Sequence, residues 1–241
     1  MSGVFDLKLR KGNNKQREYA IQAGVMGINL AAEGPFSEKY KGSYLINYRY
    51  STLSILSKMK VNIGGGITNF QDLSYNISLP TRRYGNFTLF SFGGLSDQVF
   101  AMKKDSTKWD YEYDKYGGTF KSNTGMWGAT HTIDLGKKSY LKSAIGYALK
   151  QNYDDRTYVQ PDYSIIDIYA KNYLSRKLTF TSTLNHKFNS RLMWQSGIIA
   201  SAIRFDFSEK GREKLNAPMS TWVNTKSRLR PCRDSRICSI N

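Results

Sequence analysis

The segment DLSYNISLP, Asp72–Pro80, places Leu73, Tyr75, Ile77 and Leu79 on one side of an extended chain and Ser74, Asn76 and Ser78 on the other. Alternation with a period of two residues marks a strand with one apolar and one polar face. It limits this chain more than any other feature, because it recurs along nearly all of it. REYAIQAGV puts Tyr19, Ile21, Ala23 and Val25 on the apolar side, and SYLINYRYST does the same with Tyr44, Ile46, Tyr48 and Tyr50. In KLTFTSTLNHKFN, Leu178, Phe180, Leu184 and Phe188 stand against Thr179, Thr181, Thr183, Asn185 and Lys187. The expectation is an all-β chain.

Further strands are expected in SGVFDLKLRK, INLAAEGPF, NFTLFSFGGL, NTGMWGATHTIDL, SYLKSAIGYALKQ and LMWQSGIIASAIRFDF. LSILSKMKVNIGGGITN, residues 53–69, is irregular, and Leu53 to Val61 suits one or two turns of helix. The connections sort into two kinds. Short turns at Ser37 to Gly42, Thr81 to Gly85, Gly136 to Lys138 and Asn189 to Arg191 alternate with longer connections at 53–69, 96–122 and 152–174. Only the Met26-Gly27 turn breaks this alternation on the long side. Antiparallel strands of about nine or more residues, with short turns on one rim and long loops on the other, are the layout of a bacterial outer-membrane barrel.

Composition agrees with strands. There are 17 Tyr, 12 Phe and 4 Trp but only 5 Pro, which favours sheet over helix. Mean hydropathy is −0.53 and no uncharged apolar run is long enough for a spanning helix, but alternating membrane strands escape that measure. Aromatic residues gather near strand ends, at Phe36, Tyr40 and Tyr44, at Tyr84 and Phe87, and at Phe188 and Trp194. Rings at a membrane interface produce such clustering, and so does packing in a soluble Tyr-rich sheet.

SGVFDLKLRKGNN, REYAIQAGVMGINLAAEGPF and YKGSYLINYRYSTL, continuing through NFQDLSYNISLP to FDFSEKGREKLNAP, resemble the TonB-dependent outer-membrane receptors of Bacteroidetes-type bacteria. The likeness spans roughly residues 2 to 225 and rests on the order and spacing of these stretches. It implies that residues 1–15 are the last strand of a plug domain and that 16–225 are the first part of the barrel. The expected architecture is an antiparallel transmembrane β-barrel portion of about nine to ten strands out of about 22, with long extracellular loops and short periplasmic turns. The implied activity is energised uptake of a scarce ligand, a ferric siderophore, cobalamin or glycan, across the outer membrane.

The sequence lacks the family's signal peptide, its TonB-contacting segment and nearly all of its plug, so a partial chain is expected, reaching the TonB complex only through the missing plug. Residues 226–241, ending KSRLRPCRDSRICSIN, lose alternation and turn Arg- and Cys-rich, as a frameshift or truncation would leave them. The alternative is a soluble all-β carbohydrate-binding or structural module.

No catalytic constellation is apparent, and no enzymatic activity, cofactor or metal is expected. His131 and His186 read as ordinary strand positions, Cys232 and Cys238 lack a second ligand pair, and Gly64-Gly65-Gly66 lacks the Lys-Ser/Thr of a phosphate loop. A net charge of +17 raises the question of a polyanion. Basic residues are scattered, without the interleaved platform that single-stranded nucleic acid requires, so nucleic acid is not expected. In a barrel, Arg49, Lys142 and Lys150 fall on the polar parity, and other Lys and Arg would meet lipopolysaccharide phosphates. The expected partners are therefore outer-membrane lipid, lipopolysaccharide and an unknown small ligand.

WDYEYDKYGGTF, from Trp109 to Phe120, is the candidate ligand-contacting stretch. Trp109, Asp110, Tyr111, Glu112, Tyr113, Asp114 and Tyr116 combine stacking surface with carboxylate acceptors, and Gly117-Gly118 would let the loop bend. An extended hairpin, with Tyr111 and Tyr113 merely alternating against the carboxylates, is the other expectation here.

Overall fold

In a computed structural model that describes residues 9–25, 27–51, 53 and 67–227, the chain is one antiparallel sheet. Its ten strands lie side by side in chain order. They are β1 (Glu18–Gly24), β2 (Gly27–Ser37), β3 (Tyr40–Tyr50), β4 (Ile67–Pro80), β5 (Asn86–Phe100), β6 (Tyr116–Asp134), β7 (Ser139–Val159), β8 (Ile165–Lys187), β9 (Met193–Gly211) and β10 (Ser220–Lys226). Among the described residues β1 and β10 are the two edges, each paired with one neighbour.

Two expectations change. The connection expected at 152–174 is mostly strand: β7 and β8, of 21 and 23 residues, are joined by a tight turn at 160–164. Alternation fades there because Asn152, Asp154 and Arg156 on one parity and Asp155 and Thr157 on the other put polar groups on both sides of β7, although backbone pairing continues, with one register shift after Arg156, from Asn152↔Tyr173 to Val159↔Ile165. Similarly, β5 and β6 run into the expected 96–122 connection and leave only 101–115 between them. β10 is a strand that the pattern in Ser220–Lys226 did not announce. The helical turns expected from Leu53 to Val61 lie, apart from Leu53, outside the described residues. So do residues 1–8 of the first expected strand, whose last residues, Leu9 to Lys11, are not in a strand.

Residues paired across antiparallel strands point to the same face, so the register sorts the side chains. One row reads Gly34, Tyr44, Ile77, Leu89, Ala129, Ile145, Phe180 and Ala200 from β2 to β9. The next reads Ala32, Ile46, Tyr75, Ser91, Trp127, Tyr147, Leu178 and Ala202. Neither carries a charge. On the loop side, the first polar side chains beyond them are Gln71, Asn123 and Gln151 on β4, β6 and β7, but Arg176 and Arg204, one row closer, on β8 and β9. The loop-side limit of the uncharged band thus lies one row nearer the short turns on β8 and β9 than on β4, β6 and β7.

The opposite face carries Ser43, Asn76, Ser78, Thr130, Lys142 and Thr181. Arg49 on β3 faces Asp72 on β4 in an ion pair there, and its guanidinium lies 4.8 Å over the Phe70 ring.

Burial is inverted relative to a water-soluble domain, in which apolar groups are hidden. Among the described residues the buried hydrophobic side chains are Tyr158 and Val159, whereas Glu33, Ser43, Ser51, Asn76, Ser78, Asp114 and Asn185 are buried polar ones. Ile21, Leu73, Leu89, Trp127, Ile145, Phe180 and Ile198 are exposed.

Part of the polar face is covered by the segment before β1. The Asn76 side chain donates to the carbonyls of Leu9 at 3.2 Å and Arg10 at 3.0 Å. Glu33 accepts from the Arg10 guanidinium at 2.7 Å and from the Asn13 amide at 2.8 Å. Gly12 is a requirement of this crossing: a side chain there would run into the Tyr44 carbonyl. The segment therefore lies flat across β2, β3 and β4.

Candidate functional site

The connection between β5 and β6 folds on itself through two short 3-10 turns, Ser106–Lys108 and Glu112–Lys115. Local side chains create them. Asp105 caps the first by accepting from the Thr107 amide at 3.1 Å and the Thr107 hydroxyl at 2.7 Å. Asp114 organises the second. Its carboxylate is 5% exposed and accepts from the amides of Asp110 at 2.9 Å and Tyr111 at 3.1 Å and from the Lys103 ammonium at 3.0 Å. The Lys103 amide returns a hydrogen bond to the Asp114 carbonyl at 2.8 Å.

These contacts set the charge states. Burial alone would raise the Asp114 carboxyl, but the Lys103 ammonium and the two amides overcome it and hold the group below the usual carboxylate range. Lys103 is correspondingly raised by its hydrogen bond to Asp114. Asp105 is lowered by the Thr107 hydroxyl and then by Lys108.

The expected residues separate into anchors and an exposed group. Asp114 is an anchor. Trp109 is another, donating from Nε1 to the Lys103 carbonyl at 2.6 Å, with the Lys115 ammonium 5.4 Å over its ring. Tyr116 opens β6 and packs its ring against Tyr158, centroids 5.1 Å apart. Asp110, Tyr111, Glu112 and Tyr113 are left exposed. Tyr111 and Tyr113 stack on one another, nearly parallel, with centroids 5.1 Å apart, and are 62% and 67% exposed.

This corrects the alternating hairpin. A strand would place Tyr111 and Tyr113 on one face through extended backbone, but Asp114 captures the two preceding amides and curls the chain instead. Gly117 and Gly118 belong to β6 and do not bend the loop; a side chain at Gly118 would meet the Asp155 carbonyl, so these glycines let β6 lie close against β7.

Lys103, Asp105 and Tyr163 were not among the expected residues. Tyr163, at φ +66° in the 160–164 turn, meets Ser106 Oγ through its hydroxyl at 2.6 Å and so ties two connections of the same rim. An Asp followed by Ser-Thr is a legible turn signal at 105–107, but a lysine that bonds a carboxylate 11 residues later leaves no local trace.

At the opposite rim the aromatic clusters form ring contacts. Phe36 lies 5.6 Å from Tyr44, Phe87 stacks on His131 at 4.3 Å, and His186 meets Phe188 edge-on at 4.4 Å. Both histidines thus join the ring clusters, with His131 Nε2 at 2.7 Å from the Tyr84 carbonyl and His186 Nδ1 at 2.8 Å from the Ser139 hydroxyl. No group of three or more potential metal ligands occurs among the described residues. Cys232, Cys238 and Gly64-Gly65-Gly66 lie outside them.

No family model, curated protein or solved structure matches this chain.

Proposed function

We propose that this chain forms part of the barrel of a TonB-dependent outer-membrane receptor, in which the 101–115 connection helps to capture a scarce ligand outside the cell. The observation that carries this reading is the inverted burial: a continuous uncharged band left exposed and a polar face covered in part by the segment before β1. Lipid accepts the first, and a plugged interior accepts the second. Sequential antiparallel pairing and ring clusters at the short-turn rim support it. The soluble-module alternative would need a second layer over the apolar face, and among the described residues there is one sheet.

In this reading the polar face lines the lumen, Leu9 to Asn14 are where the plug enters it, and the paired tyrosines offer stacking surface above the membrane. β7 and β8, about 75 Å along the strand, far exceed the apolar band of about 25 Å and stand clear of the bilayer on the loop side.

The test is gel mobility of the detergent-extracted protein with and without boiling. A folded membrane sheet migrates differently before heating. A protein that stays soluble and monomeric without detergent, and migrates identically in both lanes, contradicts the proposal.

A further inference from the structure

Arg176 on β8 and Arg204 on β9 are directly paired across the strands, on the face that carries the apolar band. The preceding row, Leu178 and Ala202, is still apolar, so these guanidinium groups stand at the first position beyond the band. Like charges placed opposite one another destabilise a sheet unless something neutralises them. Asp206 offsets Arg176 in part, at 3.9 Å. Asp206 itself faces Lys226 on β10. Three cations therefore surround one carboxylate, and among the described residues no carboxylate forms an ion pair with Arg204 or Lys226. Arg204 and Lys226 are exposed.

We infer that Arg176 and Arg204, assisted by Lys226, form a binding site for the phosphate of a membrane lipid headgroup. The inference rests on the reading of this face as lipid-facing. Headgroup phosphates lie immediately beyond the hydrocarbon, which is where the register puts the pair, and two guanidinium forks match the geometry of phosphate oxygens. A bound phosphate removes the repulsion between the two arginines and joins β8, β9 and β10 along the rim. Elsewhere in the traced rows of this face the band ends in uncharged Gln71, Asn123 and Gln151, so the charge is local to these strands.

The experiment folds the full chain in dodecyl maltoside micelles and titrates it with phosphorylated lipid A, or with the same lipid enzymatically dephosphorylated, reading lipid adducts by native mass spectrometry. The phosphorylated lipid is expected to bind more tightly, and R176Q/R204Q to lower its affinity by about tenfold. K142Q/K150Q, which removes equal charge from the polar face, is expected to change nothing. If R176Q/R204Q lacks the mobility shift of the folded protein, R176K/R204K, which keeps charge but loses the forks, replaces it and is expected to fall between the two. Equal binding of the dephosphorylated lipid, or affinity unmoved in the arginine variants, overturns the inference while leaving the barrel reading intact. Full displacement by excess inorganic phosphate also overturns it, since the site then takes a free anion. A chain that does not enter micelles sinks both.

Discussion

The ammonium of Lys103 and the buried carboxylate of Asp114 meet at 3.0 Å in the connection that carries the exposed stack of Tyr111 and Tyr113. The loop's rigidity follows from this pair, because the same carboxylate holds the amides of Asp110 and Tyr111. Asp114→Asn keeps the size of the side chain but removes its charge and one acceptor. The expected result is cleavage of the 101–115 connection by a broad-specificity protease about tenfold faster, with the strands unaffected. Cleavage at the unaltered rate would mean that the pair does not order the loop.

Acid should release the same loop. The Asp114 carboxyl is held below its ordinary value in the folded protein, so its contribution is complete above the unfolded value of about 4 and is lost as pH falls through the lower folded value. Hydrogen exchange at the Asp110 and Tyr111 amides, corrected for intrinsic rates, should therefore stay protected from neutral pH to about 4 and lose protection below. Loss of protection between pH 7 and 5 would contradict this assignment.

The two faces should answer oppositely to a charge. Ile145→Lys places an ammonium in the middle of the uncharged band, where the cost in lipid is about 2–4 kcal/mol. Thr130→Lys, on the polar face, should cost far less. Urea titration of the protein folded in vesicles measures both, and equal costs would argue against a lipid-facing band.

Glu33 fastens the leading segment to the sheet through Arg10 and the Asn13 amide. Glu33→Ala is expected to free it, so that, with Cys232 and Cys238 replaced by Ser, Lys11→Cys reacts several-fold faster with a water-soluble maleimide than in the Glu33 background. An unchanged rate would mean that Asn76 and the Gly12 crossing suffice.

Much of the sheet was legible because the period of two is local: residues such as Leu73, Tyr75 and Ile77 declare their face without reference to any partner. Legibility ended where polar groups occupy both parities. Asn152 to Asp155 pair with Tyr173 to Ala170 as regularly as the band below them, yet with polar groups on both parities the alternation vanishes and the strands read as loop. The composition of Trp109 to Lys115 reads as a connection between strands, which the structure shows, but the architecture inside that connection was not legible. Asp114 looked like one more exposed carboxylate among Asp110 and Glu112, and its role depends on Lys103, which only the folded turn brings near. The histidines were likewise opaque, since Phe87 and His131 meet only through the β5–β6 register.

Trp127 gives the most direct test of the central claim. It lies within the uncharged band, 47% exposed and packed against Tyr147 at 4.8 Å. A variant with Trp109, Trp194 and Trp222 replaced by Phe, reconstituted in vesicles, reports this one position. Lipids brominated on their acyl chains should quench its fluorescence strongly, while aqueous acrylamide should not. Quenching by acrylamide with no response to brominated lipid would show that the face meets water, and the account of this chain as part of a membrane barrel would fail.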